Sequence, residues 1–229
     1  MANTAYVRLV AGASSLSLAA KAWSPDSIGD IKRDVFEMAL SAAQCAIRSG
    51  DIRDLQTLTV IDYSRPSTQK RLWVFDLRER ALLYEELVAH GSGSGMDVAT
   101  SFSNQPNTHA SSLGLFRTDD TYVGRNGYSL RMHGLDAGFN DRAYERAIVM
   151  HGAPYVSDDA IKLQGRLGRS WGCPALRAGI AREVIDTVKG NGLVFAYYPR
   201  SAVAGVVEVS GRLRQRRRRV ALHVSAETR

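Results

Sequence analysis

The spacing of hydrophobic positions changes near residue 50 and divides the chain into a helical part and a mainly extended part. Between 24 and 50 the apolar residues recur at helical spacing and share one stripe: Ile28, Ile31, Val35, Met38, Ala42 and Cys45. Ser24 and Pro25 suit the N-cap and the first turn, and Gly50 suits the stop. The pattern predicts an N-terminal helix in which Cys45 is a small core residue.

Beyond residue 50 the apolar residues form short runs that are rich in β-branched and aromatic side chains, which is typical of strands. The predicted strands are 55–64, 70–77, 81–90, 111–118, 128–135, 146–152, 192–199 and 202–210. A stretch rich in Gly, Ser and Asn at 91–110 predicts a long loop over the face of the sheet. A second helical face follows residue 174 and ends at Gly190; its residues are Leu176, Ile180, Val184, Ile185 and Val188. The pattern therefore predicts a mainly β fold with one helix before the sheet and one near its end.

Length and composition indicate one main domain. The chain has 229 residues, 45% of them hydrophobic and 23% charged, which is enough to bury a core. We assign 24–200 to this domain, 1–23 to an N-terminal segment and 201–229 to a C-terminal strand and basic tail. The weakly apolar run at 9–20 is compatible both with a cleaved signal and with a retained segment. No apolar stretch approaches the roughly 20 residues that span a bilayer.

The net charge of +7 and the pI near 9.6 favour an anionic partner, which is nucleic acid, a lipid surface or an acidic cell-wall polymer. Much of the excess lies in "GRLRQRRRRVALHV" at 211–224. This run lacks the interleaved aromatic residues on which nucleic acid bases stack, so nucleic acid is disfavoured. We interpret it either as a solvated basic tail or as a surface that attaches the protein to an anionic polymer.

The segment "RSWGCP" at 169–174 contains one of two cysteines, and the apolar strand upstream of it ends at His151. Nucleophilic catalysis by cysteine requires a thiolate, a proton acceptor and donors for the oxyanion. Cys173 and His151 supply the first two, and the N–H groups of Gly172 and Cys173 are candidate donors. Pro174 suggests that Cys173 lies within about a turn of a helix N-terminus, whose dipole favours the thiolate. From spacing alone, a hydrogen-bonded strand-end histidine and a buried thiol explain these residues equally well.

The segment "HGAPYVSDDAIKLQGRLGRSWGCPAL" resembles the murein L,D-transpeptidase catalytic domain, or YkuD-like, family. The resemblance is to a divergent branch in which the catalytic box reads Ser-Trp-Gly-Cys-Pro. Upstream segments such as "LTVIDYSRPSTQKRLWVFDL" and "GLDAGFNDRAYERAIVMHGAPYVS" are similar to the same branch, and the resemblance covers roughly 57–198. It implies a β-sandwich catalytic domain, preceded by the N-terminal helix and with a helix after the catalytic cysteine, that acts on peptidoglycan stem tetrapeptides.

The resemblance also implies roles for individual residues. Cys173 is the implied nucleophile and His151 the implied general base. Gly152, Ser170 and Gly172 are implied to shape the site.

Several positions depart from the family pattern. Trp171 stands where most members have a second histidine, and Ala175 where many have a polar or basic residue. The substrate carboxylate must then be recognised elsewhere, with Arg166 and Arg169 as candidates, although a solvated loop arginine explains each equally well. His133, on a nearby strand, either lines the cleft and contacts substrate or is a structural histidine.

The resemblance implies a cysteine-dependent L,D-transpeptidase that forms 3-3 cross-links through an acyl-enzyme. Two alternatives stay open: an L,D-carboxypeptidase or endopeptidase that uses the same site, and a non-catalytic module that binds an anionic polymer. No HxxxH, HExxH or CxxC spacing is present, so neither a metal nor another cofactor is expected. The expected location is the bacterial cell envelope, after export. The sequence does not indicate the oligomeric state.

Overall fold

The computed structural model describes residues 18–199. The arginine-rich run, the predicted strand at 202–210 and most of the N-terminal segment lie outside the described residues, and so does the predicted polymer-attachment surface. Within 18–199 the helices are α1 (Arg33–Ser49), α2 (Asp158–Gln164) and α3 (Ala178–Val188). The strands are β1 (Thr57–Asp62), β2 (Leu72–Asp76), β3 (Ala81–Glu86), β4 (Val88–Ala89), β5 (Gly114–Gly124), β6 (Gly127–Gly134), β7 (Val149–Ala153), β8 (Ala175–Arg177) and β9 (Gly192–Tyr197). None of the described helices is long and apolar enough to cross a bilayer.

The strands form one nine-stranded sheet in the order β3-β2-β1-β9-β5-β6-β7-β8-β4. The pairs β1–β9 and β7–β8 are parallel, and the other pairs are antiparallel. Since β3 and β4 lie at opposite ends of this order but are separated only by Leu87, the sheet curls back on itself. The predicted mainly β class is confirmed, with one helix before the sheet and one after the segment that contains the cysteine.

Helix α1 packs on one face of the sheet through an aromatic cluster. Phe36 is fully buried, and its ring centroid lies 5.0 Å from that of Trp23 and 4.8 Å from that of Phe75. The helix ends at Gly50 as predicted, in a left-handed conformation that glycine adopts without strain. The predicted stripe was wrong at Met38, which is 39% exposed. The buried side of the helix is centred one position away, on Phe36, Ala39, Leu40 and Ala43.

Helix α3 packs on the opposite face of the sheet. Val184, Ile185 and Val188 are fully buried there against residues that include Leu130 and Met150 of β6 and β7. The two helices therefore bury opposite faces of one sheet, each through an apolar stripe. This arrangement leaves β7 and β8 fixed from one side by α3.

The segment around the cysteine differs from the prediction in two ways. The helix does not begin next to Pro174, because β8 comes first and α3 starts at Ala178. The expected helix dipole beside Cys173 was therefore wrong. Helix α2, which was not predicted, begins after Ser157, whose Oγ accepts from the N–H of Ala160.

The packing of α1 predicts different costs for two substitutions on the same turn of the helix. Phe36→Ala should lower the free energy of unfolding by about 3–5 kcal/mol, because it leaves a cavity among buried aromatic rings. Met38→Ala is the matched control and should cost less than about 1 kcal/mol. Urea unfolding followed by circular dichroism measures both. Equal costs would contradict this placement of the helix face.

Candidate active site

Strands β7 and β8 bring His151 and Cys173 to adjacent strands. The two strands run in parallel with His151 opposite Ala175, so Cys173 comes two residues before the register partner of His151. The main-chain N–H of His151 donates to the carbonyl of Pro174 at 3.4 Å. Both side chains are buried, with 4% of His151 and 7% of Cys173 exposed. A histidine and a thiol that are distant in sequence thus share one buried region.

The Cys173 thiol is held at the start of β7. Its Sγ lies 3.5 Å from the donating N–H of Val149 and 3.6 Å from the carbonyl of Ala147, to which it donates. Burial raises the pKa of the thiol, and the Val149 N–H and the positive charge of Arg146 offset part of this increase. The resting thiol is therefore protonated at neutral pH.

His151 has a defined tautomer. Its Nδ1 lies 2.9 Å from the carbonyl oxygen of Gly152, and since a carbonyl only accepts, Nδ1 carries the proton. Nε2 is then the proton acceptor. Burial lowers the pKa of His151, so the imidazole is neutral at neutral pH. Gly152 itself faces α3, where a Cβ would come within 2.9 Å of the Ala181 Cβ, so its small size allows the helix to pack closely.

Ser170 and Gly172 fix the shape of the chain before the thiol. The Ser170 Oγ donates to the Cys173 carbonyl at 2.6 Å and accepts from the Gly172 N–H at 3.2 Å. Gly172 has φ of 112°, and a Cβ there would lie 2.8 Å from the carbonyl oxygen of Ala110, so only glycine fits. Because the Gly172 N–H already has an acceptor, an oxyanion at this position would compete with Ser170.

Main-chain hydrogen bonds attach this box to the segment that follows β4. The Ser170 N–H donates to the His90 carbonyl at 3.0 Å, and the Ser92 N–H donates to the Ser170 carbonyl at 2.8 Å. Arg169, a predicted carboxylate ligand, donates through Nη1 to the carbonyl of Gly95 at 2.9 Å. Its guanidinium therefore holds this segment in place.

Two further predicted site residues have partners elsewhere in the fold. Arg166 donates to the adjacent carbonyl of Leu167 at 2.8 Å. The His133 Nε2 lies 2.6 Å from the Asp119 carboxylate, and its ring stacks on Tyr144 with centroids 4.5 Å apart. None of these contacts includes the thiol.

Trp171, next to the box, presents a large surface to solvent. Its side chain is 65% exposed, and its ring stacks on His109 with centroids 4.8 Å apart and an interplanar angle of 4°. The guanidinium carbon of Arg125 lies 5.9 Å from the centroid of the indole. Trp171 therefore forms part of an exposed aromatic surface two residues before Cys173 in the chain.

The structure adds Arg146, which the sequence analysis missed. Its guanidinium donates to the carbonyls of Ser103 and Ala110 at 2.6 and 2.7 Å and to the Oγ of Ser112. It makes no ion pair among the described residues, and its charge is the one that lowers the pKa of the Cys173 thiol. The sequence offered no signal beyond an arginine shortly before an apolar run.

A buried arginine lies beneath the box. Arg71 is fully buried and donates to the Val88 carbonyl at 2.8 and 3.0 Å, to the Arg65 carbonyl at 2.8 Å and to the His90 Nδ1 at 2.8 Å. Burial lowers the pKa of Arg71 to about 10, so it keeps its charge at neutral pH. Burial and then the charge of Arg71 lower the pKa of His90 to about 4. Among residues 18–199, no group of three or more His, Cys, Asp or Glu side chains is arranged to hold a metal ion.

Comparison with protein families gives a match to the model of the L,D-transpeptidase catalytic domain over residues 28–197. A comparison with curated proteins gives no match. Among solved structures, the chain is similar to an L,D-transpeptidase from Mycobacterium smegmatis, with 14% identity and a TM-score of 0.40 over 62% of this chain and 59% of that one.

Two other solved structures are similar at the same level. An L,D-transpeptidase from Stackebrandtia nassauensis has 15% identity and a TM-score of 0.39, over 71% of this chain and 67% of that one. The helical cell shape determining protein of Campylobacter jejuni has 12% identity and a TM-score of 0.43, over 65% and 49%. The chain spans 58–59% of the length of several L,D-transpeptidases that it matches.

The lowered pKa of His90 predicts a loss of stability in mild acid. Below pH 6.5 the unfolded chain takes up a proton that the folded His90 binds only near pH 4, so the free energy of unfolding falls as the pH decreases between these values. The loss from this residue should be on the order of 3 kcal/mol. His90→Asn keeps an acceptor for Arg71 and should flatten the dependence. Urea unfolding at several pH values measures it, and parallel curves for parent and variant would contradict the assignment.

The position of Arg146 predicts an electrostatic effect on the thiol. Arg146→Gln should raise the pH midpoint of iodoacetamide labelling of Cys173 by roughly half a unit to one unit, because the nearby positive charge is lost. Arg146→Lys should restore most of the midpoint. Arg142→Gln, on the exposed surface of the same turn, is the control and should label like the parent. A folded Arg146→Gln protein with the parent's profile would show that the charge does not act on the thiol.

Proposed function

Because the chain belongs to the L,D-transpeptidase catalytic domain family, we propose that it cleaves peptidoglycan stem tetrapeptides through an acyl-enzyme on Cys173 and forms 3-3 cross-links. The observation that supports this best is the tautomer of His151. Its Nδ1–H is held by the Gly152 carbonyl, so that Nε2 is the basic nitrogen on the strand beside the thiol. A fixed tautomer is what a general base next to a nucleophile requires.

The reaction proceeds in two acyl transfers. In the first, the Cys173 proton passes to Nε2 of His151 as the sulfur attacks the carbonyl that links the third residue to the terminal D-alanine. The carbon–nitrogen bond breaks, the proton goes to the leaving amine, and a thioester remains. In the second, the side-chain amine of another stem attacks the thioester, loses its proton to His151 and releases the thiol.

The resting electrostatics determine when the thiolate forms. Burial raises the pKa of Cys173 and lowers that of His151, so the uncharged pair predominates before substrate binds. The Val149 N–H and the charge of Arg146 then favour the thiolate as it forms. Charge is thus created only when a carbonyl is present to accept the sulfur, which limits side reactions of the thiol.

Ser170 and Gly172 position the nucleophile, and Trp171 provides the surface beside it. The Ser170 hydroxyl bridges the Gly172 N–H and the Cys173 carbonyl, so it sets the direction of the Cys173 backbone. A flat indole next to the thiol can exclude water and pack along a peptide. We place the protein in the cell envelope, where its proposed substrate is found.

Hydrolysis is the second candidate outcome at the same site, because water can replace the acceptor amine. The exclusion of water by Trp171 favours transfer to an amine. A module that binds polymer without chemistry would not form an acyl-enzyme, so acylation of Cys173 by a carbapenem distinguishes the enzyme from such a module.

The proposal predicts one covalent adduct. Exposure to a carbapenem should add one drug mass to the parent protein and to Cys45→Ala, and none to Cys173→Ala. Intact-mass measurement checks this, and His151→Ala should slow adduct formation by roughly 100-fold or more near neutral pH because the base is lost. An adduct that persists on Cys173→Ala would exclude Cys173 as the nucleophile.

Incubation with purified muropeptides then separates the two outcomes. Mass analysis should show a cross-linked dimer with loss of D-alanine. Tripeptide without dimer would identify a carboxypeptidase instead.

A further inference from the structure

The hairpin formed by β5 and β6 lies next to β7, the strand that carries His151. Tyr122 pairs with Ser129, and Ser129 pairs with His151, so three adjacent strands place these residues in one row. Directly paired residues in a sheet project from the same face, so Tyr122 lies on the face of His151, two strands away. At about 4.8 Å per strand, this separation is roughly 10 Å.

Arg131 also belongs to this face, since it lies two residues from Ser129 on β6. Its guanidinium carbon is 4.2 Å from the centroid of the Tyr122 ring. Stacking of this kind fixes the plane of a guanidinium and leaves its N–H groups directed outward at the edge. Arg131 therefore presents donors over the face that carries His151.

Arg125 lies at the tip of the same hairpin and contacts Trp171. The tip lies towards the Ala153 end of β7, because Ser129 pairs with His151 and β6 runs antiparallel to β7. Trp171 instead belongs to the loop that leads into β8 at the opposite end. The contact between the Arg125 guanidinium and the indole, at 5.9 Å, therefore joins the tip of the hairpin to the segment that contains Cys173.

Neither arginine makes an ion pair in the described part of the chain, where the salt bridges involve other residues. Of the acidic residues on the hairpin, Asp119 pairs with His133, and Asp120 makes no salt bridge there. The arginines first considered for carboxylate recognition, Arg166 and Arg169, instead donate to main-chain carbonyls. Two guanidinium groups without an ion pair thus belong to one hairpin, one stacked on Tyr122 on the face of His151 and the other against Trp171, two residues before Cys173.

We propose that Arg125 and Arg131 form a carboxylate-binding site that orients the stem peptide along the hairpin with its scissile carbonyl at Cys173. This inference rests on the proposed function for the identity of the peptide. A guanidinium matches a carboxylate through paired hydrogen bonds, and an aromatic platform preorganises that geometry. Trp171 and Tyr122 are these platforms.

The stem peptide offers two sources for the carboxylate, the terminal D-alanine and the free carboxyl of the diamino acid. Three peptides distinguish them: the free acid, the terminal carboxamide and the diamino-acid carboxamide. With the parent enzyme, one of the two carboxamide peptides should have a KM roughly tenfold higher than the free acid and a similar kcat. This factor corresponds to the loss of one charge-assisted hydrogen bond. Arg125→Gln and Arg131→Gln should raise KM for the free acid to a similar extent and have little further effect on that carboxamide.

Arg182→Gln is the matched control. Arg182 also stacks on a tyrosine of the hairpin, Tyr128, at 4.2 Å, but Tyr128 lies on the opposite face, where its hydroxyl contacts Asp186 of α3. This variant should keep the parent's KM for all three peptides. The proposal would be overturned if Arg125→Gln and Arg131→Gln kept the parent's KM values as Arg182→Gln does, or if they raised KM equally for the free acid and both carboxamides.

A second measurement does not depend on the peptide. Iodoacetate and iodoacetamide alkylate the same thiol and differ by one negative charge. The ratio of their rates at Cys173 should fall several-fold in Arg125→Gln and Arg131→Gln and stay at the parent value in Arg182→Gln. If no stem peptide is turned over but this ratio falls, the proposed function is wrong and the anion site remains. If peptides are turned over and neither KM nor the ratio changes, the anion site is wrong.

Discussion

The buried guanidinium of Arg71 is the interaction on which the geometry of the site depends. Without a carboxylate partner, it satisfies its donors with the carbonyls of Val88 and Arg65 and with the ring of His90. A buried charge without hydrogen bonds is very costly, so these acceptors are fixed relative to one another. The carbonyl of His90 then accepts from the N–H of Ser170, and the loop that carries Cys173 is thereby held against the sheet.

The site combines burial with a cation that comes from a distant part of the chain. Burial favours the neutral form of the thiol. The Val149 N–H and the charge of Arg146, on the turn before β7, favour the thiolate. The same arginine binds the carbonyls of Ser103 and Ala110, and the Ala110 oxygen leaves no room for a side chain at Gly172. One residue therefore contacts the long loop and also favours the thiolate of Cys173. The positive charge that acts on the Cys173 thiol comes from this arginine.

Local patterns in the sequence were sufficient for much of the fold. The end of α1 at Gly50 and most strands were predictable because alternation, helical spacing and glycine act within a few residues. The face of α1 was misplaced at Met38, because small alanines allow more than one stripe. Strand β8 was missed because three residues are too few to show an alternating pattern of apolar and polar side chains. Its extended conformation depends on pairing with β7.

Within the site, the proximity of Cys173 and His151 was predictable because their neighbours form a recognisable motif, and their catalytic roles stay predictions. The positions of Arg146, Arg71 and Arg125 were not predictable, since an arginine in a sequence is equally compatible with a solvated surface and with a buried or stacked position. Their roles arise from contacts between residues that are distant in sequence. Arg169 was a candidate for substrate binding because of its nearness to the box in sequence, and that role stays a prediction; in the structure its guanidinium donates to the carbonyl of Gly95.

The position of β9 has a consequence for how the molecule is made. This strand lies between β1 and β5, so it joins the part of the sheet under α1 to the part that carries the cysteine. Its parallel pairing with β1 links Thr57 to Gly192, and contacts across so long a stretch of chain form slowly because loop closure must come first. During synthesis from the N-terminus, no strand lies between β1 and β5 until residues 192–197 have left the ribosome, and only the β4–β8 pair can link the two parts of the sheet before then. The strand that joins the two parts of the sheet is therefore the last of the described strands to be made, and the framework around Cys173 is completed only after that segment has been synthesised.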